Sequence, residues 1–284
     1  MARSNKGGFE MIGLVTMEYY DHRRKGSVGS SRIRGEWIAK YWEQCEMYST
    51  GREYDGLIFQ KAYWEEMVKN FKGKKFFDIC DPDWLDNRPV VEMIRNCNGV
   101  VTSTQALADQ IKKFDIGNVP VICIPDRVDL EWSRPIKNKH QGLAKSCVYF
   151  GYSGNANVVL EPAVESLKRR GLSLTVISDQ PFYANDEFVK YDQETVNEEI
   201  IKHDIVLLPK APSNNYRFRF KSNNKIIQSW ALGMPVATNG SELDRFLNGE
   251  EREKERIKRL KEVKEKWDVK ISVKEWQDFY VKTA

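Results

Sequence analysis

The chain has little cysteine and less histidine, and neither is grouped. Its five cysteines, Cys45, Cys80, Cys97, Cys123 and Cys147, never form a C-x-x-C pair, which argues against structural zinc and against a redox dithiol. Several sit in apolar runs, where a free thiol behaves as a small buried hydrophobe, a usage suited to a reducing cytoplasm. The three histidines, His22, His140 and His203, are too dispersed to make a metal site, so we expect no metal and no resident cofactor. No apolar run approaches the ~20 residues that span a bilayer. Residues 1–8 form a polar leader without a signal-peptide core, and the expectation is a cytoplasmic chain. A strong charge of either sign is also missing: 45 basic and 41 acidic side chains leave a net +4, too mild to imply nucleic acid by itself. The run Gly26-Ser27-Val28-Gly29-Ser30-Ser31-Arg32-Ile33-Arg34 fits neither the dinucleotide fingerprint nor the phosphate-loop lysine motif, which lowers the rank of both enzyme classes.

What is present is an alternation of short apolar runs with helix-length segments. Runs at Phe9–Met17, Gly56–Gln60, Lys75–Cys80, Gly99–Ser103 and Val119–Ile124 read as buried strands, and strands alternating with helices argue for a parallel sheet. Residues 133–146 hold Pro135, three lysines and Gly142 without periodicity and read as a linker. The pattern restarts at Cys147-Val148-Tyr149-Phe150-Gly151, followed by a helix at Val158–Arg170 and strands at Leu172–Ser178, Phe188–Tyr191 and Ile205–Leu208. From Gly249 to Trp267, Ile257, Leu260, Val263 and Trp267 form one narrow apolar stripe on a charged helix. The expected domains are therefore 9–132, 147–268 and a tail helix at 269–284.

The most informative stretch is 204–239. A strand stopped by Pro209 leads through a loop to a helix that begins at Ser222, read as its N-cap, and ends at Gly233 before Met234-Pro235-Val236-Ala237. Strand, helix and strand place a helix N-terminus at the strands' carboxyl ends, where phosphates bind. Arg217, Arg219 and Lys221 recur at period two, so on extended backbone they share one face. Lys225 adds a cation to the first helical turn, which is unfavourable for a bare helix and points to a bound anion.

This stretch resembles the donor half of the GT-B glycosyltransferases, whose helix closes on A-x-G-x-P-V, as Ala231-Leu232-Gly233-Met234-Pro235-Val236 does. Val119–Asp129 resembles the close of that family's first domain, Val100–Leu107 its "V-T-x-S-x-x-L" segment, and Ser30–Arg34 its "S-S-R-x-R". The resemblance runs from about Phe9 to Asn239 in the family's order. It implies an α/β fold of two Rossmann-like parallel-sheet domains facing a cleft, and sugar transfer from a nucleotide diphosphate sugar. The donor would be held by Arg217, Arg219, Lys221, Ser222, Asn223, Asn224 and Lys225, with Gly151 and Gly154 giving backbone room and Ser178 near the nucleobase. Two departures stand out. Where many members have paired glutamates eight positions apart, this chain has Phe220 and Gln228, of which Gln228 keeps an amide for a ribose. The family's Arg and Lys after the second domain's first strand are missing from 151–160.

For the acceptor side, His22, Arg23, Arg24, Ser30, Arg32 and Arg34 follow the first strand. An exposed, solubilising loop is the competing reading. Asp81 is the preferred base, with Asp78 and Asp83 behind it and His22 as second choice. Burial at a strand's end would raise a carboxyl's pKa toward a base's working range, although Asp also caps loops routinely. The basic loop with neighbouring Tyr19, Tyr20 and Trp37 suits an anionic acceptor. A hydroxymethylated base in DNA and a glycan or lipid-linked sugar both remain candidates. A non-catalytic nucleotide- or nucleic-acid-binding protein on the same scaffold is the alternative.

Overall fold

Every strand in the described residues that belongs to a sheet runs parallel to its neighbours. The computed structural model describes residues 10–20, 29–210 and 215–283. One six-stranded sheet is built from β1 (Ile12–Thr16), β2 (Cys45–Met47), β3 (Gly56–Gln60), β4 (Lys74–Ile79), β5 (Gly99–Thr102) and β6 (Val121–Cys123), in the order β2-β1-β3-β4-β5-β6. A five-stranded sheet contains β7 (Ser146–Phe150), β8 (Ser173–Ser178), β9 (Glu187–Lys190), β10 (Ile205–Leu207) and β11 (Val236–Ala237), in the order β11-β10-β7-β8-β9. Parallel pairing requires a crossover between strands, and helices on both faces bury them. That is why β1 (IGLVT) and β3 (GLIFQ) are buried at every position and show no alternation.

The chain forms two units that do not follow its order. One holds the residues through Arg127, then 219–222, then Val269 onward; the other holds Val128–Phe218 and Asn223–Asp268. The final helix, Val269–Lys282, packs in the first unit through Trp276, Phe279 and Tyr280. Their rings meet Phe76 of β4 at centroid distances of 6.2, 5.5 and 5.2 Å. Two strand glycines make room: a Cβ on Gly56 would lie 2.3 Å from Tyr280 Oη, and one on Gly99 would lie 2.6 Å from the Phe279 ring.

Several segments depart from the sequence reading. Tyr216–Phe220 is a 3-10 helix, so period-two spacing does not align Arg217, Arg219 and Lys221 on one face. The next helix runs Asn224–Ala231 with Asn223 as N-cap. Ser222, read as that cap, instead donates to Asp126 Oδ2 at 2.6 Å. The helix read from Val158 starts at Ser153 and is interrupted at Glu161–Ala163, where Pro162 lacks an amide to donate. On the long helix Gly249–Lys266, Val263 is buried but Ile257 is 60% exposed. The buried face is instead anchored by Arg252, fully enclosed and donating to the carbonyls of Phe246, Leu247, Gln141 and Gly142.

Because the Phe279 ring occupies the space over Gly99, Gly99→Ala is expected to destabilise the first unit by about 1–3 kcal/mol. Urea unfolding followed by tryptophan fluorescence measures it; an unchanged midpoint would contradict this packing.

Candidate functional site

In the second unit, strand order reverses at β7: β8 and β9 lie on one side, and β10 and β11 on the other. Ligands of open parallel sheets bind beyond the carboxyl ends at such a reversal. The chain leaves β7 at Gly151, whose φ of +141° suits glycine. A Cβ there would lie 2.0 Å from Lys225 Nζ, so the lysine of the Asn224–Ala231 helix rests directly against the end of β7. Its ammonium is 5.0 Å from the Tyr149 ring centroid and 3.5 Å from Tyr149 Oη.

The helix N-termini that follow β7 and β10 differ in charge. Asp179, after β8, accepts from the Ser153 amide at 2.8 Å and from the Ser153 hydroxyl at 3.0 Å. Burial works against the Asp179 anion, but those bonds outweigh it and hold its carboxyl below the usual range. The helix beginning at Ser153 therefore already carries its anion. The helix beginning at Asn224 has no side-chain cap and has Lys225 in its first turn, the arrangement that favours an added anion.

Ser178 is buried and donates to Asp179 at 3.2 Å. A Cβ on Gly154 would lie 2.7 Å from the Tyr152 ring, so this glycine admits an aromatic neighbour. Gln228 is buried and gives its amide to Asn197 Oδ1 at 3.0 Å, and Asn197 in turn donates to the Trp132 carbonyl at 2.9 Å. That N–H is committed to the interior, away from any ribose.

In the first unit, the basic segment predicted for the acceptor splits. His22, Arg23 and Arg24 lie outside the described residues. Ser30 is half-buried, and Arg32 is buried with its guanidinium 5.6 Å from the Trp37 ring centroid. Arg34, expected to meet the acceptor, is 4% exposed and fully engaged within the unit. It donates to both Asp78 oxygens at 2.7–2.9 Å, to the Ile124 carbonyl at 3.0 Å and to Asp126 at 2.7 Å. Burial opposes its charge, but Asp78 and Asp126 more than offset that and hold it protonated. Asp78, read with Asp83 as standing behind Asp81, is consumed by the same pair.

Asp81 follows the end of β4 and is bracketed by two ammonium groups, Lys61 Nζ at 2.7 Å from Oδ2 and Lys221 Nζ at 2.9 Å from Oδ1. Burial would raise its pKa, as read from the sequence, but Lys61 and then Lys221 reverse the sign and bring it to about 2. Asp83 is buried, accepts from Tyr63 Oη at 2.8 Å and lies 3.3 Å from Lys61; its carboxyl is raised by burial. Phe220, standing where the resembled family has a glutamate, is 1% exposed. It packs edge-on to Trp84 at 5.3 Å, and its carbonyl accepts from Thr104 Oγ1 at 3.3 Å. Lys61 and Tyr63 were missed from sequence. A lysine and an aromatic after an apolar run carry no signal until β3 and β4 are known to be neighbours.

No protein-family model and no curated protein matches this sequence. Solved structures do match in fold. Anabaena HepE in complex with UDP and glucose superposes with a TM-score of 0.68 at 10% identity, over 96% of this chain and 100% of that one. T4 phage BGT in complex with UDP and Mn2+ gives 0.58 at 13% identity, over 96% and 99%. Sucrose-phosphate synthase from Thermosynechococcus elongatus gives 0.59 at 10% identity, over 81% and 73%. The fold is the two-sheet α/β architecture of the GT-B glycosyltransferases.

Two outcomes follow from the buried charges. Arg34→Leu leaves Asp78 buried without its partner and is expected to cost about 3–5 kcal/mol in urea unfolding; a loss under 1 kcal/mol would contradict the network. Asp81 has a folded-state pKa of about 2 against an ordinary 3.8. Its contribution is therefore complete above pH ~4 and lost as pH falls through about 2, and it is worth about 2 kcal/mol. Asp81→Asn is expected to show that deficit at pH 7 and progressively less of it below pH 4 in unfolding titrations.

Proposed function

We propose that the protein is a glycosyltransferase that moves a sugar from a nucleoside diphosphate sugar to an acceptor hydroxyl. The observation that carries this reading is Lys225 set against Gly151 where the strand order of the second sheet reverses, in the first turn of a helix whose N-terminus has no acidic cap. Two structures of the same fold hold UDP, which supports a diphosphate as the anion for this position. Arg217, Arg219, Lys221, Asn223, Asn224 and Lys225 are the donor candidates.

In the reaction, the acceptor oxygen bonds to the anomeric carbon as that carbon's bond to the β-phosphate oxygen breaks. The bonding pair leaves with the diphosphate, where the ammonium and guanidinium groups stabilise the added charge. The acceptor's proton passes to Asp81. The acceptor is a glycan or lipid-linked sugar, or a hydroxymethylated DNA base; the sugar is a hexose or a pentose.

The test offers pooled nucleotide sugars, with and without Mn2+, to hydroxymethylated DNA, plain DNA and glycan acceptors, reading products by mass spectrometry and diphosphate release alongside. A hexose- or pentose-sized gain that fails with Asp81→Asn is the expected result. Lys225→Ala should raise the donor KM about ten- to a hundredfold, the loss of one charge-assisted contact. If the protein binds no nucleoside diphosphate by calorimetry and releases none on any acceptor, the transferase reading falls.

A further inference from the structure

Both carboxylate oxygens of Asp81 are already bonded to an ammonium group. Lys61 holds one oxygen and Lys221 the other, and the Cys80 thiol lies 3.7 Å from the oxygen shared with Lys61. A general base needs a lone pair facing the proton it takes and a pKa near the working pH. A carboxylate keeps further lone pairs beside those two bonds, but the paired ammonium groups oppose its taking a proton, so losing one of them brings Asp81 closer to acting as a base.

The two lysines are not equally able to leave. Lys61 is 11% exposed and also lies 3.3 Å from Asp83, whose far oxygen is occupied by Tyr63. Its backbone sits at a φ of +49°, a left-handed conformation that costs a lysine about 1–2 kcal/mol, and its amide is tied to the Asp78 carbonyl at 2.9 Å. Withdrawing Lys61 would take the ammonium from the buried Asp83 as well as from Asp81, whereas withdrawing Lys221 affects Asp81 alone. Lys221 is 38% exposed. Its neighbours are anchored independently of its ammonium, Phe220 through Trp84 and Thr104, Ser222 through Asp126. The four-carbon stem can therefore swing while the segment stays in place.

We propose that Lys221 masks Asp81 and that a diphosphate unmasks it by taking the Lys221 ammonium, leaving Lys61 as the permanent partner. A diphosphate offers several anionic oxygens against the single one Lys221 now holds. The proposal rests on the transferase reading for the identity of the anion. The groups facing Asp81 are Lys61 from the end of β3, Lys221 from the 219–222 segment, and Cys80 and Asp83 on its own segment; Arg34 and Asp126 face Cys80 from beyond.

The test is a carbon-13 titration of the Asp81 carboxyl between pH 3 and 7, assigned with Asp81→Asn, with inorganic pyrophosphate as the probe anion. Wild type alone should be flat over this range, because Asp81 titrates at about 2. Saturating pyrophosphate should lift the midpoint by about one unit or more, bringing its onset into the window. Lys221→Met should show that onset without pyrophosphate and respond to it less than wild type. Lys61→Met should raise the midpoint whether or not pyrophosphate is present. A flat wild-type trace with pyrophosphate, including failure to bind it, would overturn the proposal. So would equal responses in wild type and Lys221→Met, which would mean simple repulsion by the anion. The titration needs no turnover: transfer that survives Asp81→Asn would remove the base assignment while leaving the masking intact.

Discussion

One buried guanidinium joins three pieces of the first unit that are far apart in sequence. Arg34 enters from the turn of π-helix after β1, grips Asp78 within β4, and reaches the Ile124 carbonyl and Asp126 beyond β6. The other oxygen of Asp126 accepts from the Ser222 hydroxyl. An arginine suits this place because its planar fork satisfies several acceptors at once without losing its charge. Asp78, the sheet's one acidic position with no exposure at all, would be untenable without it. Asp81 stands three residues further on, so the placing of the candidate base depends on the same clamp.

In the second unit, two helix starts differ in the charge placed beside them. Two helices begin near the carboxyl ends of adjacent strands, β7 and β10, and their partial charges are alike. One is already satisfied by a carboxylate of its own chain, and the other carries a lysine where a carboxylate would ordinarily sit. Under the proposed transferase reading, a donor phosphate would be repelled by Asp179 at the first and attracted by Lys225 at the second. Gly151 matters because it lets that lysine lie against the strand end.

Much of this architecture was legible beforehand. Strands such as Gly56–Gln60 stand out as continuous apolar runs because both their faces are buried, and the β10–helix–β11 unit is marked by Pro209 and Gly233. The limits of that reading are physical. Arg34 looks like an acceptor contact because a buried arginine and a binding arginine are the same letter; only its pairing with Asp78 and Asp126 separates them. Asp81 looks like a carboxyl raised by burial because its two cations arrive from residues 20 and 140 positions away. Period two is informative only on extended backbone, and Tyr216–Phe220 is coiled. Phe220 reads as a lost glutamate until Trp84 is beside it.

The route of the chain has a consequence for how the protein is made. The first unit's sheet is spelled out by residue 123, yet two of its parts, the 219–222 segment and the helix from Val269, are encoded only after most of the second unit. A ribosome delivers them in that order. Until they arrive, Phe76 lacks its aromatic cover and Asp126 lacks its serine, so the nascent first half must wait with an apolar groove and a buried-charge network incomplete. The half that is written first is the half that is finished last, and neither can be cut from the chain as one contiguous piece.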